Sequence, residues 1–109
     1  MIVSVDLGAS SVALEEPSDC ARFHVAATGP TDTARLGDVL LEHAVGRTEG
    51  DDAFIAVDAV RRLAAGRVGD GWEGDFAGML EYARTKGWLD PSGTEIQAHV
   101  EWVDAARPR

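Results

Sequence analysis

Apolar side chains at Trp72, Phe76, Met79, Leu80 and Ala83 recur at i, i+4, i+7 and i+8, the spacing that lines one face of an α-helix. It predicts a helix over Trp72–Lys86. Asp70 is placed to cap its start, Glu73 and Asp75 fall in its first turn, and Arg84 and Lys86 fall in its last, as the helix dipole favours. Gly87 can take the left-handed conformation that ends it. Gly74 and Gly78 each weaken such a helix by about 1 kcal/mol relative to alanine. Packing must therefore hold it, or a neighbour must need the missing side chains.

A shorter helix precedes it, with Asp58 as cap, Val60, Leu63 and Ala64 as its apolar side, Arg61 and Arg62 pointing outward and Gly66 as its stop. After the long helix, Asp90-Pro91-Ser92-Gly93 has the residues of a type I turn. Ile96, Ala98, Val100 and Trp102 then alternate with Glu95, Gln97, His99 and Glu101, a strand with one buried face and one wet face. Trp88 and Leu89 supply its short partner in a hairpin.

The N-terminal part reads mainly as strands. Ile2–Leu7 and Val12–Leu14 are short β-prone pieces, and Arg22–Thr28 alternates Phe23, Val25 and Ala27 with His24 and Ala26. Gly29-Pro30 ends that strand. Thr31 or Asp32 then caps a helix with Leu36, Val39, Leu40 and His43 on one side and an expected end at Gly46. Arg47–Asp52 reads as a polar loop and Ala53–Val57 as a short buried strand. One domain over 1–104 accounts for this pattern, and Ala105–Arg109 reads as a loose tail.

The 109 residues are 45% hydrophobic, enough to bury a core without staples. The single Cys20 has no partner for an intramolecular disulfide and fits a reducing compartment. With no basic targeting segment and no apolar run long enough to span a bilayer, the expected location is cytoplasmic and no membrane partner is expected. Net charge is −9, and it is uneven. Residues 1–57 carry ten acids and three arginines, net −7, whereas 58–90 carry six acids and five bases, net −1. That field repels phosphate backbones and disfavours nucleic acid as a partner.

The order helix, strand, helix, helix, short strand, turn, strand from Thr31 onward resembles a winged-helix domain. The residues carrying the resemblance are Val60, Leu63, Ala64 and Ala65 in the first helix of the pair and Phe76, Met79, Leu80 and Ala83 in the second. Lys86-Gly87-Trp88-Leu89 stands where such domains enter the wing, and Pro91-Ser92-Gly93 at its tip. The resemblance implies an α+β domain in which an N-terminal β element precedes a winged-helix-like helix pair with a C-terminal β-hairpin. It also implies a recognition helix, but that helix would offer a groove Glu73, Gly74, Asp75, Ala77, Gly78 and Glu81, whereas base reading uses arginine, lysine, asparagine or glutamine. The Val57–Trp102 block is similar to small actinobacterial proteins of unassigned function, and nine arginines against one lysine fit a GC-rich genome.

Other chemistry is sparse. Val5-Asp6-Leu7-Gly8-Ala9-Ser10-Ser11 resembles the first phosphate loop of sugar kinases and actin-like ATPases, but those enzymes need two large domains and further motifs that do not fit in this length, so a strand end and turn is the preferred reading. His99 with Glu95 and Glu101 shares a strand face, and Cys20 lies near His24, but neither set has the ligands of a metal centre or the orienting partner of a nucleophile. No cofactor or metal is expected. Trp72, Trp88 and Trp102 read as core. The candidate site is Arg61, Arg62, Arg67, Arg84 and Lys86, able to hold an anion or an acidic protein surface if they converge. The reading favoured is a small cytoplasmic protein-interaction or regulatory module without catalysis, binding a protein partner or a second copy. The alternatives are a winged-helix nucleic-acid regulator and a small enzyme or anion-binding protein whose site the sequence does not display.

Overall fold

The computed structural model describes residues 1–103, so the expected tail at 105–109 lies outside the described residues. Three helices and a six-stranded curled sheet make a mixed α+β fold: β1 Ile2–Asp6, β2 Ser11–Glu15, β3 His24–Thr28, α1 Thr33–Glu42, β4 Gly46–Glu49, β5 Asp52–Ala56, α2 Val57–Ala64, α3 Trp72–Lys86 and β6 Glu95–Val103. The sheet order is β2-β1-β3-β6-β5-β4. Strands β1 and β2 form a hairpin, β3 lies parallel to β1, and β4–β5 is a second hairpin.

Strand β6 joins the two halves. Its first part, Glu95–His99, pairs antiparallel with β5, and its second, Val100–Val103, runs parallel to β3. The expected C-terminal hairpin is reduced to one bridge between Leu89 and Ile96, with Gln97 N–H donating to the Trp88 carbonyl at 2.6 Å. Instead of one arm of a two-stranded wing, β6 is an interior strand of a larger sheet, because its nine residues are long enough to pair with β5 along one stretch and with β3 along the next. Strands account for more of the fold than the sequence pattern had indicated.

Alternation decides which sheet face is covered. Val3, Leu14, Val25 and Val100 share a register row, Ala53 and Ile55 sit opposite Ala98 and Ile96, and all are buried. They form one core with Leu36, Val39 and Leu40 of α1, Val57, Ala59, Val60 and Ala64 of α2, and Trp72, Phe76 and Ala83 of α3. The helices therefore cover one face. The other carries Ser4, His24, Gln97, His99 and Glu101, none of them buried.

Several boundaries moved for non-local reasons. Helix α1 ends at Glu42, with Ala44 at φ 54 and Val45 N–H bonded to the Leu40 carbonyl. Gly46 instead opens β4, where a Cβ would collide with the Phe54 carbonyl. The expected polar loop Arg47–Asp52 contains that edge strand, made by pairing with β5 rather than by β propensity. Helix α2 begins one residue before Asp58, its first N–H held by the Thr94 carbonyl at 2.9 Å, and Asp58 pairs with Arg61 at 3.5 Å. Asp70 does not cap α3; Gly71 occupies that position with no side-chain bond. At the other end Gly87 takes the expected left-handed turn at φ 79.

Candidate functional site

Helix α3 is held along one side only. Trp72 and Phe76 stack at 4.7 Å between ring centroids, Trp72 Nε1 donates to the Pro17 carbonyl, and Arg61 reaches across from α2 to Glu73 at 3.0 Å and over the Phe76 ring. Met79 and Leu80 are half-buried. The flank turned away from α2 faces the segment 18–23 across a groove of about 730 Å³, with Ile96 and Gln97 also lining it and Trp88 beside them.

Gly74 and Gly78 lie on this flank, and a Cβ added at either would meet nothing within 4 Å. The sequence left open whether a neighbour needs their missing side chains; among the described residues none does. Tyr82, 56% exposed, and Trp88, 45% exposed, meet edge-to-face at 6.0 Å and leave apolar surface at the groove. Trp88 is thus not core, unlike the buried Trp72 and half-buried Trp102.

Cys20 opens into the groove from the 18–23 wall. Its burial, and then the Asp75 carboxylate on the facing helix, push its thiol up from the ordinary value, away from the thiolate that a nucleophile requires. His24 turns to the uncovered sheet face and meets Glu101 at 3.5 Å. Glu95 is engaged by Arg47 at 3.1 Å, and His99 stands opposite Asp52. Among the described residues no group of three or more His, Cys, Asp or Glu is placed to hold a metal ion, and no polar or charged side chain is buried.

The phosphate-loop-like segment closes the β1–β2 hairpin. Asp6 accepts from the N–H groups of Gly8 at 3.0 Å and Ala9 at 3.1 Å, and Arg35 donates to the Leu7 carbonyl and the Ser10 hydroxyl.

The five basic candidates fall into two groups. Arg61 is bound to Asp58 and Glu73, Arg62 donates to the carbonyls of His43 and Ala44, and Arg67 donates to that of Leu63. Arg84 pairs with Glu81 at 3.4 Å, and Lys86 Nζ stands 5.5 Å from the Tyr82 ring centroid. Arg61 meets α3 at Glu73, eleven residues before Arg84, which is about 16 Å along the axis. Arg84 and Lys86 therefore belong with the groove end of α3, and Arg61, Arg62 and Arg67 with α2 and the turn after it. Comparison of the chain with protein-family models, curated proteins and solved structures finds no match.

No helix among the described residues is long and apolar enough to cross a membrane. The signal that sequence reasoning missed was the row Gly74, Gly78, Tyr82 at i, i+4, i+8. Two glycines that weaken a helix, with an aromatic side chain in line with them, single out this flank, and the packing shows it to be uncovered among the described residues.

Proposed function

We propose that this protein is a cytoplasmic protein-interaction or regulatory module without catalysis that docks a protein along the outer flank of α3. The observation that carries this reading is the bare, apolar groove beside a helix that has only three buried residues in fifteen. Exposed aromatic side chains at such a groove favour association, since covering them removes apolar surface from water. Arg61, Arg62 and Arg67 form a second contact region in this proposal, able to exchange their intramolecular carboxylates and carbonyls for a partner's.

The test is a pull-down from native cell extract with three folded proteins: wild type, Gly78→Leu, which fills the groove, and an Arg61/Arg62/Arg67 triple alanine variant. A protein captured by wild type and lost from Gly78→Leu supports groove docking, and loss from the triple variant assigns the arginines. Identical recovery from all three overturns both. The winged-helix alternative is separated by fluorescence titration with duplex DNA. Micromolar affinity falling steeply with salt would favour it; the net charge of −9 and the Glu73, Asp75 and Glu81 side chains oppose it.

A further inference from the structure

We propose that the groove takes a short segment of a partner protein, with one lysine or arginine side chain at the Asp19 and Asp75 carboxylates and an apolar side chain at the Trp88 end; the inference rests on the reading of the α3 flank as a docking surface. The two ends of the groove differ. Near Cys20, Asp19 lines it from the 18–23 wall and Asp75 from the first turn of α3. Of the three acids of α3, Glu73 is paired with Arg61 and Glu81 with Arg84. Only Asp75, the one that lines the groove, has no ion pair among the described residues. Asp19 is half-buried and has none either, its Oδ1 accepting from the N–H of Ala21 at 3.0 Å.

The charges around this end leave it negative. Arg22 also lines the groove but is exposed, and the Met1 ammonium donates to the carbonyls of Asp19 and Arg22 at 2.9 and 3.0 Å. Cys20 registers the balance: after burial, Asp75 acts most strongly on its thiol, the ammonium opposes it more weakly, and Asp19 adds to Asp75. A potential that disfavours a thiolate favours a cation. At the other end Tyr82, Trp88, Met79 and Ile96 present apolar surface, while Lys86 beside the Tyr82 ring and Arg84 on Glu81 repel a second cation. The segment therefore binds in one direction. Asp75 and Tyr82 are seven residues apart on α3, about 10 Å along the axis, which an extended chain covers in three residues at about 3.3 Å each. A basic and an apolar side chain three positions apart thus reach both ends. The groove volume of about 730 Å³ falls among pockets of about 300–1,000 Å³ that enclose ligands of such size. The net −9 of the chain draws a basic segment in.

The test is a titration of the isotope-labelled full chain, followed by its amide NMR shifts, with two capped tetrapeptides, Lys-Ala-Ala-Phe and Glu-Ala-Ala-Phe. We expect the lysine peptide to shift amides of 18–23 and 74–82 with a dissociation constant on the order of 1 mM, and the glutamate peptide to bind about tenfold more weakly. Asp75→Asn should weaken the lysine peptide about fivefold without weakening the glutamate peptide, and Asp75→Glu should retain the preference. Trp88→Ala should weaken both, with circular dichroism showing the fold retained in each variant. Equal affinity for the two peptides overturns the proposal, as does a lysine peptide indifferent to Asp75→Asn or to Trp88→Ala. Shifts of the same amides with protein concentration alone would give the groove to a second copy and overturn it too. If the peptides fail in these ways while Gly78→Leu still loses a captured protein, docking on α3 stands and only the basic segment is rejected; failure of the peptides together with identical recovery from wild type and Gly78→Leu rejects both.

Discussion

Helices α1 and α3 lie on the same face of the sheet and use their glycines in opposite ways. In α1, Leu36, Val39 and Leu40 are fully buried, Asp32 Oδ1 accepts from the Arg35 N–H at 3.0 Å, and a Cβ on Gly37 would stand 2.7 Å from Thr48 Oγ1. That glycine is there because helix and strand β4 come close. In α3, which is longer, Gly74 and Gly78 meet nothing. A glycine inside a helix thus marks either a close internal neighbour or an uncovered flank, and only the packing distinguishes them.

The largest effect expected is on the held side of α3. Phe76, 0% exposed and stacked on Trp72, should cost about 3 to 5 kcal/mol on replacement by alanine, read by urea denaturation. A loss below about 1 kcal/mol would mean that α3 is not anchored by this ring. Leu80 belongs to the same sequence stripe but is half-buried, so Leu80→Ala should cost about 1 to 2 kcal/mol. Equal losses at the two positions would erase the distinction between the core side and the margin of α3.

The glycine contrast is smaller and has a sign. Gly78→Ala should stabilise the protein by about 1 kcal/mol, the full helix-propensity gain. Gly37→Ala should yield none of it, since Thr48 must turn away from the Thr33 carbonyl that its hydroxyl now reaches. Thermal midpoints of the two variants decide this, and equal stabilisation would contradict the close approach of α1 to β4.

The last prediction concerns the turn that carries the chain from α3 to β6. Asp90 accepts from the N–H of Thr94 at 2.7 Å and of Glu95 at 3.0 Å and from the Ser92 and Thr94 hydroxyls. These bonds, that from Glu95 foremost, hold its carboxyl well below the usual range. A folded-state pKa below the unfolded one, about 3.9, means that the bonds stabilise the fold above that pH and that the contribution is lost as pH falls below it. Wild type should therefore lose more stability between neutral pH and about pH 2 than Asp90→Asn, which retains an acceptor without the titration. Parallel stability–pH curves would show that Asp90 contributes nothing through its charge.

The sequence by itself determined the features that depend on neighbours a few residues apart. The span of α3 follows from the 3.6-residue stripe and Gly87, the buried face of α1 from Leu36, Val39 and Leu40, and the inward row of β6 from strict alternation. Periodicity and turn chemistry are local, so they are legible without a fold. Only the tertiary structure decided that β6 lies between β3 and β5, that Gly46 opens a strand, that Trp88 stays at the surface and that the five basic residues divide between α2 and the end of α3. Each of these depends on which distant segments meet. The groove follows from the same cause: the α3 stripe could say which side chains share a face, but whether the adjacent flank is packed or bare was set by where α2 and the 18–23 segment come to rest.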